Sequence, residues 1–129
     1  VVDLASGAQP MRSRDGKLTV TFNGEIYGYR GLRAATDYPY ATESDTEVLL
    51  AMYSDAGPGM VHRLPGMFAF ALWDDREKSL FCARDRFGEK PFYYAVTRDG
   101  SFLFASEIKA ILASGLVDPV LDLASVAHF

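Results

Sequence analysis

From Lys17 to Phe22 apolar and polar residues alternate, with Leu18, Val20 and Phe22 on one side and Thr19 and Thr21 on the other. A period of two predicts a strand with one face in a core. Asn23-Gly24 follows at once, a strong turn dipeptide, and predicts a break. A short helix is expected over Tyr27–Ala35, weakened by Gly28 and Gly31. The pattern then becomes helical in earnest. Ser44-Asp45-Thr46-Glu47 reads as a capping box, Ser44 as N-cap and Glu47 reaching back to its amide. Val48, Leu49, Met52 and Tyr53 form one apolar stripe over 44–56, and Gly57 suits the helix end. Pro58 to Leu64 allows one or two further turns.

Beyond Pro65-Gly66 the chain reads as sheet. "MFAFALW" (67–73) is apolar at every position, as expected of a strand covered on both faces. "LFCARD" (80–85), "PFYYAV" (91–96) and "SFLFAS" (101–106) are further strands, separated by the turn-forming "DDREKS", "RFGEK" and "TRDG". "EIKAILASG" is a helix, and "LDLASVAHF" begins another with Asp122 as N-cap. The fold class expected is α+β with largely antiparallel strands.

Composition narrows the function classes. The chain has 129 residues, 49% apolar and 23% charged, which suits one ordinary globular domain. A net charge of −4 with no basic cluster speaks against nucleic acid. No apolar run approaches the ~20 residues of a membrane span. Cys82 is the single cysteine, so no intrachain disulfide can form and a cytoplasmic protein is expected. His62 and His128 show no ligand spacing, and no metal site is expected. Val1 is not a methionine, "VVDL" opens like a strand in mid-domain, and the final helix has barely begun. Both ends look cut from a longer chain.

The residues at 23–25 admit two readings. They are a hairpin turn, or a loop whose Asn23 amide and Gly24 N–H meet an oxyanion while Glu25 meets an ammonium group. Asp45 is either a first-turn helix acid or a second carboxylate for that ammonium. Arg84-Asp85-Arg86 reads as an ion-paired cluster at a strand end rather than a phosphate site. Cys82, between Phe81 and Ala83, reads as a buried, inert thiol. "SGLVD" (114–118) imitates a pyrophosphate loop but lacks its second glycine and runs into Pro119, so it is set aside.

Five blocks, taken in order, carry a resemblance: "NGEIY" (23–27), "ESDTEVLL" (43–50), "LPGMFAFALWD" (64–74), "ARDRFGEKPFYY" (83–94) and "FASEIKAIL" (104–112). Together they resemble the glutamine amidotransferase domain of glutamine-hydrolysing asparagine synthetases, a class II or N-terminal-nucleophile domain, over essentially the whole chain. That resemblance implies a four-layer α/β/β/α sandwich of antiparallel sheets, here without its first strands. It implies that Asn23 and Gly24 form an oxyanion hole, and that Glu25 and Asp45 hold the ammonium of L-glutamine. Val1 and Val2 correspond to the end of the stretch that holds the glutamine carboxylate. The family's nucleophile is an N-terminal cysteine, which these residues do not include. The 129 residues are therefore expected to bind glutamine and, alone, to be inactive. No cofactor is implied for this domain. ATP and Mg²⁺ belong to a C-terminal synthetase domain, the expected partner, which amidates aspartate or a related carboxylate. Exposed strand edges would favour association, for instance as a homodimer. A non-catalytic amidotransferase-like domain, kept for structure or ligand binding, is the alternative.

Overall fold

The computed structural model describes residues 7–127, and the strand-like opening that includes Val1 and Val2 lies outside them. The chain divides into two compact units, Val1–Lys90 and Pro91–Phe129. The first is built on an antiparallel sheet of β1 (Met11–Arg12), β2 (Leu18–Ile26), β3 (Gly66–Asp74) and β4 (Ser79–Arg84), in that spatial order. The helices α1 (Tyr29–Ala34) and α2 (Asp45–Ala56) and a 3-10 helix at Gly57–Arg63 lie between β2 and β3 in sequence.

Leu18, Val20 and Phe22 are buried on one face of β2, as the alternation requires. They join Phe68, Phe70 and Leu72 of β3 and Val48, Leu49, Leu50 and Met52 of α2 in one core. Each large aliphatic or aromatic side chain so covered contributes roughly 1.5–3 kcal/mol. Phe81 of β4 extends the core through ring contacts with Tyr53 and Phe70. Along β3, Phe68 to Leu72 are buried without interruption, in keeping with a strand covered on both faces.

Three local expectations change. The Asn23-Gly24 pair does not break the strand: β2 continues to Ile26 in unbroken register with β3, from Leu18 opposite Asp74 to Ile26 opposite Gly66. Gly24 has φ +151, and a Cβ there would lie 2.1 Å from the Met67 carbonyl oxygen. At Gly66, φ +130, a Cβ would lie 2.2 Å from the Glu25 carbonyl oxygen. The glycine freedom that suggested a turn is spent on close approach of two strands. Next, α2 is buried at every residue from Asp45 to Tyr53, not along one stripe. The sheet, α1, the 3-10 helix and the core-packed Tyr38 and Tyr40 surround it. Finally, Ser44 is the N-cap, its Oγ accepting the Thr46 N–H at 3.2 Å, but Glu47 does not complete a capping box. The Glu47 carboxylate instead accepts the N–H groups of Ala41 (2.9 Å) and Thr42 (2.7 Å) and the Thr42 hydroxyl. Nearby donors in the preceding segment outcompete its own helix end.

The second unit contains an antiparallel ribbon of β5 (Tyr93–Val96) and β6 (Phe102–Ala105), with α3 (Ile108–Ala113) packed on it. Stacked pairs Phe92–Phe104 and Tyr94–Phe102 bridge the ribbon. α4 (Leu123–Ala127) follows, and Asp122 accepts the Ala124 N–H at 3.0 Å and the Ser125 hydroxyl, as a cap should. Antiparallel sheets with packed helices make the class α+β.

Candidate active site

Antiparallel pairing alternates the direction of backbone groups along a strand. On β2, the odd residues face β3: Tyr27 just beyond the strand donates to the Pro65 carbonyl at 3.0 Å, in step with that ladder. The even residues face the other way. Leu18 exchanges hydrogen bonds with Ser13, through the Ser13 Oγ and N–H, and Val20 pairs with Met11. β1 ends there. Beyond it, the Phe22 N–H donates to the side-chain Oε1 of Gln9 at 2.6 Å, and the Ile26 N–H donates to Asp45 Oδ2 at 3.1 Å.

Gly24 lies midway between those two. Its register partner Phe68 turns its own backbone toward β4, where the Phe68 carbonyl accepts the Asp85 N–H at 2.8 Å. The Gly24 N–H therefore points to the free edge of β2, and among the described residues nothing accepts it. With about 3.4 Å of rise per residue, roughly 7 Å separates it from each capped neighbour. A donor left open in a strand is normally satisfied by water or a ligand.

The edge opens onto a cleft of about 150 Å³ lined by Gly7, Gln9, Phe22 to Gly24 and Ser44 to Thr46. Asp45 reaches it from the first turn of α2, buried, with one carboxylate oxygen engaged by Ile26. The other oxygen has no partner among the described residues. Three of the residues singled out in the sequence thus meet at one place: Asn23, Gly24 and Asp45. Glu25 is exposed on the same sheet face as Asn23 but does not line the cleft. Val1 and Val2 fall outside the described residues. Gln9 and Gly7 were not singled out, and Ser44 was read only as a helix cap; the register extended past Met11 would have placed Gln9 opposite Phe22 and Gly7 opposite Gly24.

The Arg84-Asp85-Arg86 cluster is not an ion-pair network. Among the described residues no salt bridge joins its members. The Arg84 guanidinium donates to the carbonyls of Gly88 and Lys90. The buried Asp85 carboxylate collects the N–H groups of Phe68, Phe87, Glu89 and Lys90 at 2.9–3.3 Å. Burial pushes this carboxyl up, but the hydrogen bonds of Lys90, Glu89, Phe68 and Phe87 outweigh it, and its pKa lies below the ordinary value. Arg84 and Asp85 hold the 84–90 loop together, and Asp85 ties it to β3 at Phe68, the partner of Gly24.

Cys82 sits in β4 opposite Ala71, half-buried, and burial raises its thiol pKa. It does not line the cleft. Among the described residues no helix is long and apolar enough to cross a membrane. No group of three or more His, Cys, Asp or Glu there could hold a metal ion.

Comparison with known proteins identifies the family and the fold. The family model described as "Glutamine amidotransferase domain" matches residues 1–129. Asparagine synthetase [glutamine-hydrolyzing] 3 of Bacillus subtilis is 48% identical over 119 residues, covering 88% of this chain and 19% of the relative. Asparagine synthetase [glutamine-hydrolyzing] 3 of Arabidopsis thaliana is 45% identical, covering 86% of this chain and 19% of the relative. The chain thus spans about a fifth of the length of these relatives. Among solved structures, glutamine phosphoribosylpyrophosphate amidotransferase from B. subtilis, complexed with ADP and GMP, matches at TM-score 0.70 and 25% identity. That match covers 83% of this chain and 26% of the other. The fold is that of an N-terminal-nucleophile amidotransferase, and the chain belongs to the glutamine amidotransferase domain family.

Proposed function

We propose that this chain is the glutamine-binding part of an asparagine synthetase or close relative, with L-glutamine held along the free edge of β2. The open Gly24 N–H, between two capped neighbours and beside Asn23 and Asp45, carries this reading. A donor aimed into a cleft suits the side-chain carbonyl of an amide. The Asn23 amide supplies a second donor, and the two together stabilise the oxyanion that forms when that carbonyl is attacked. The free oxygen of Asp45 accepts the α-ammonium group, with Glu25 as the second carboxylate.

Hydrolysis requires a thiolate to attack the amide carbon, expel ammonia and leave a γ-glutamyl thioester for water. Cys82 does not serve, being half-buried on β4 with a raised pKa. A polypeptide of these 129 residues alone therefore binds glutamine without releasing ammonia. In the whole protein, the ammonia passes to an ATP- and Mg²⁺-dependent synthetase domain that amidates aspartate or a related carboxylate.

The test is glutamine binding and glutaminase kinetics in the full-length protein. Asp45→Ala and Glu25→Ala each remove a charge-assisted contact of about 1.5–3 kcal/mol and should weaken glutamine binding by roughly 10- to 150-fold. Asn23→Ala should lower kcat by about 10²–10³ with a smaller change in KM. Glutamine affinity unchanged in both carboxylate variants would remove the assignment.

A further inference from the structure

Gln9 stands at the place where β1 stops serving β2. The pairing Met11 opposite Val20 and Arg12 opposite Thr19 projects onward to Gln9 opposite Phe22 and Gly7 opposite Gly24. The strand does not continue that far, yet the Phe22 N–H is satisfied, because the Gln9 side chain replaces a strand carbonyl with its own amide carbonyl at 2.6 Å. The Thr21 hydroxyl lies 3.5 Å from the same oxygen. Gln9 lines the cleft together with Gly24 and Asp45. At the other end of the cleft, Asp45 caps Ile26 in the same manner.

We infer that Gln9 is a positioning residue for the oxyanion donor: its Oε1 closes the edge of β2 at Phe22 so that, of the edge N–H groups of Phe22, Gly24 and Ile26, that of Gly24 stays open to the substrate oxygen. An unpaired strand edge is soft, and each free N–H draws water that competes with a ligand. Fixing Phe22 and Ile26 on either side sets both the direction of the Gly24 N–H and the width of the opening. Gly7, which also lines the cleft, adds no side chain to fill it. The inference rests on Gly24 as the donor to the glutamine amide oxygen, as proposed above. A fixed donor matters most where charge develops on that oxygen, so loss of Gln9 should affect turnover more than binding.

The experiment compares Gln9→Met and Gln9→Glu with wild type in the full-length protein. Methionine keeps the length and removes the acceptor; glutamate keeps an acceptor for the Phe22 N–H. Gln9→Met should lower the glutaminase kcat at least about tenfold while the glutamine Kd stays within about threefold. Its Phe22 amide should also exchange with solvent faster, at unchanged Tm. Gln9→Glu should retain wild-type protection at Phe22, and this readout holds even where Gln9→Met does not fold. Wild-type kcat in Gln9→Met overturns the inference, as does a parallel fall of kcat, affinity and Tm. So does lost Phe22 protection in Gln9→Glu. Wild-type protein that neither binds nor hydrolyses glutamine overturns the glutamine reading instead, and the exchange measurements then judge the edge cap separately.

Discussion

The two halves of β2 are built differently. From Leu18 to Thr21 the strand has neighbours on both sides, Ser13 and β1 on one and β3 on the other. From Phe22 to Ile26 it keeps β3 but loses β1, and side chains take over the vacated edge. The first half is core scaffold. The second is scaffold on one side and, in the proposed reading, a ligand-facing edge on the other, because the backbone donors a sheet offers to a ligand are those its neighbours leave unpaired. The carboxylates divide the same way. Glu47 and Asp85 are buried with their oxygens given to local donors, two backbone N–H groups and a hydroxyl for one and four backbone N–H groups for the other, and organise neighbouring segments. Asp45 gives one oxygen to Ile26, and its other oxygen has no partner among the described residues.

The contrast breaks most severely at Gly24. Gly24→Ala puts a methyl group 2.1 Å from the Met67 carbonyl oxygen, so β2 and β3 must separate at the open donor. Overpacking and backbone strain together should cost roughly 3 kcal/mol or more, read by chemical denaturation, with glutaminase activity lost. A variant of wild-type stability and activity would show that the two strands need no close approach.

A smaller effect is expected at Ser44, whose hydroxyl caps the helix that carries Asp45. Ser44→Ala should cost about 1 kcal/mol in a denaturant titration, and glutamine binding should weaken less than in Asp45→Ala. Equal losses of binding in the two variants would mean that Asp45 acts only through helix placement.

The narrowest effect concerns acid. Asp85 has a folded-state pKa below its unfolded value, so its stabilisation is complete above about pH 4 and is lost as pH falls through the folded value. Asp85→Asn should lower Tm at neutral pH and flatten the decline of Tm below pH 4 relative to wild type. Parallel acid declines in the two proteins would detach Asp85 from that behaviour.

Much of this was legible in the residues. The alternation of Leu18, Val20 and Phe22 requires a half-buried strand wherever it occurs, and the unbroken apolar run of β3 requires cover on both faces. Ser44 and Asp122 announce helix starts because capping is a local hydrogen bond. The blocks around Asn23-Gly24-Glu25 and Asp45 pointed by resemblance to one place, and Asn23, Gly24 and Asp45 do line one cleft, which Glu25 does not. What misled was also local chemistry: Asn23-Gly24 was weighed as a turn, Glu47 as a reciprocal cap and Arg84-Asp85-Arg86 as ion pairs. Each has a partner within a few residues that satisfies it on paper.

Tertiary structure chose other partners. Glycine at 24 supplies conformational freedom in any context, but only the presence of β3 at contact distance turns that freedom into close packing. Hydrogen-bonding capacity is likewise written in the sequence, whereas which donor on the β2 edge is left open among the described residues depends on which neighbours arrive and where they stop. β1 stops at Met11, Gln9 and Asp45 come in from either side, and the N–H between them remains without a partner among the described residues.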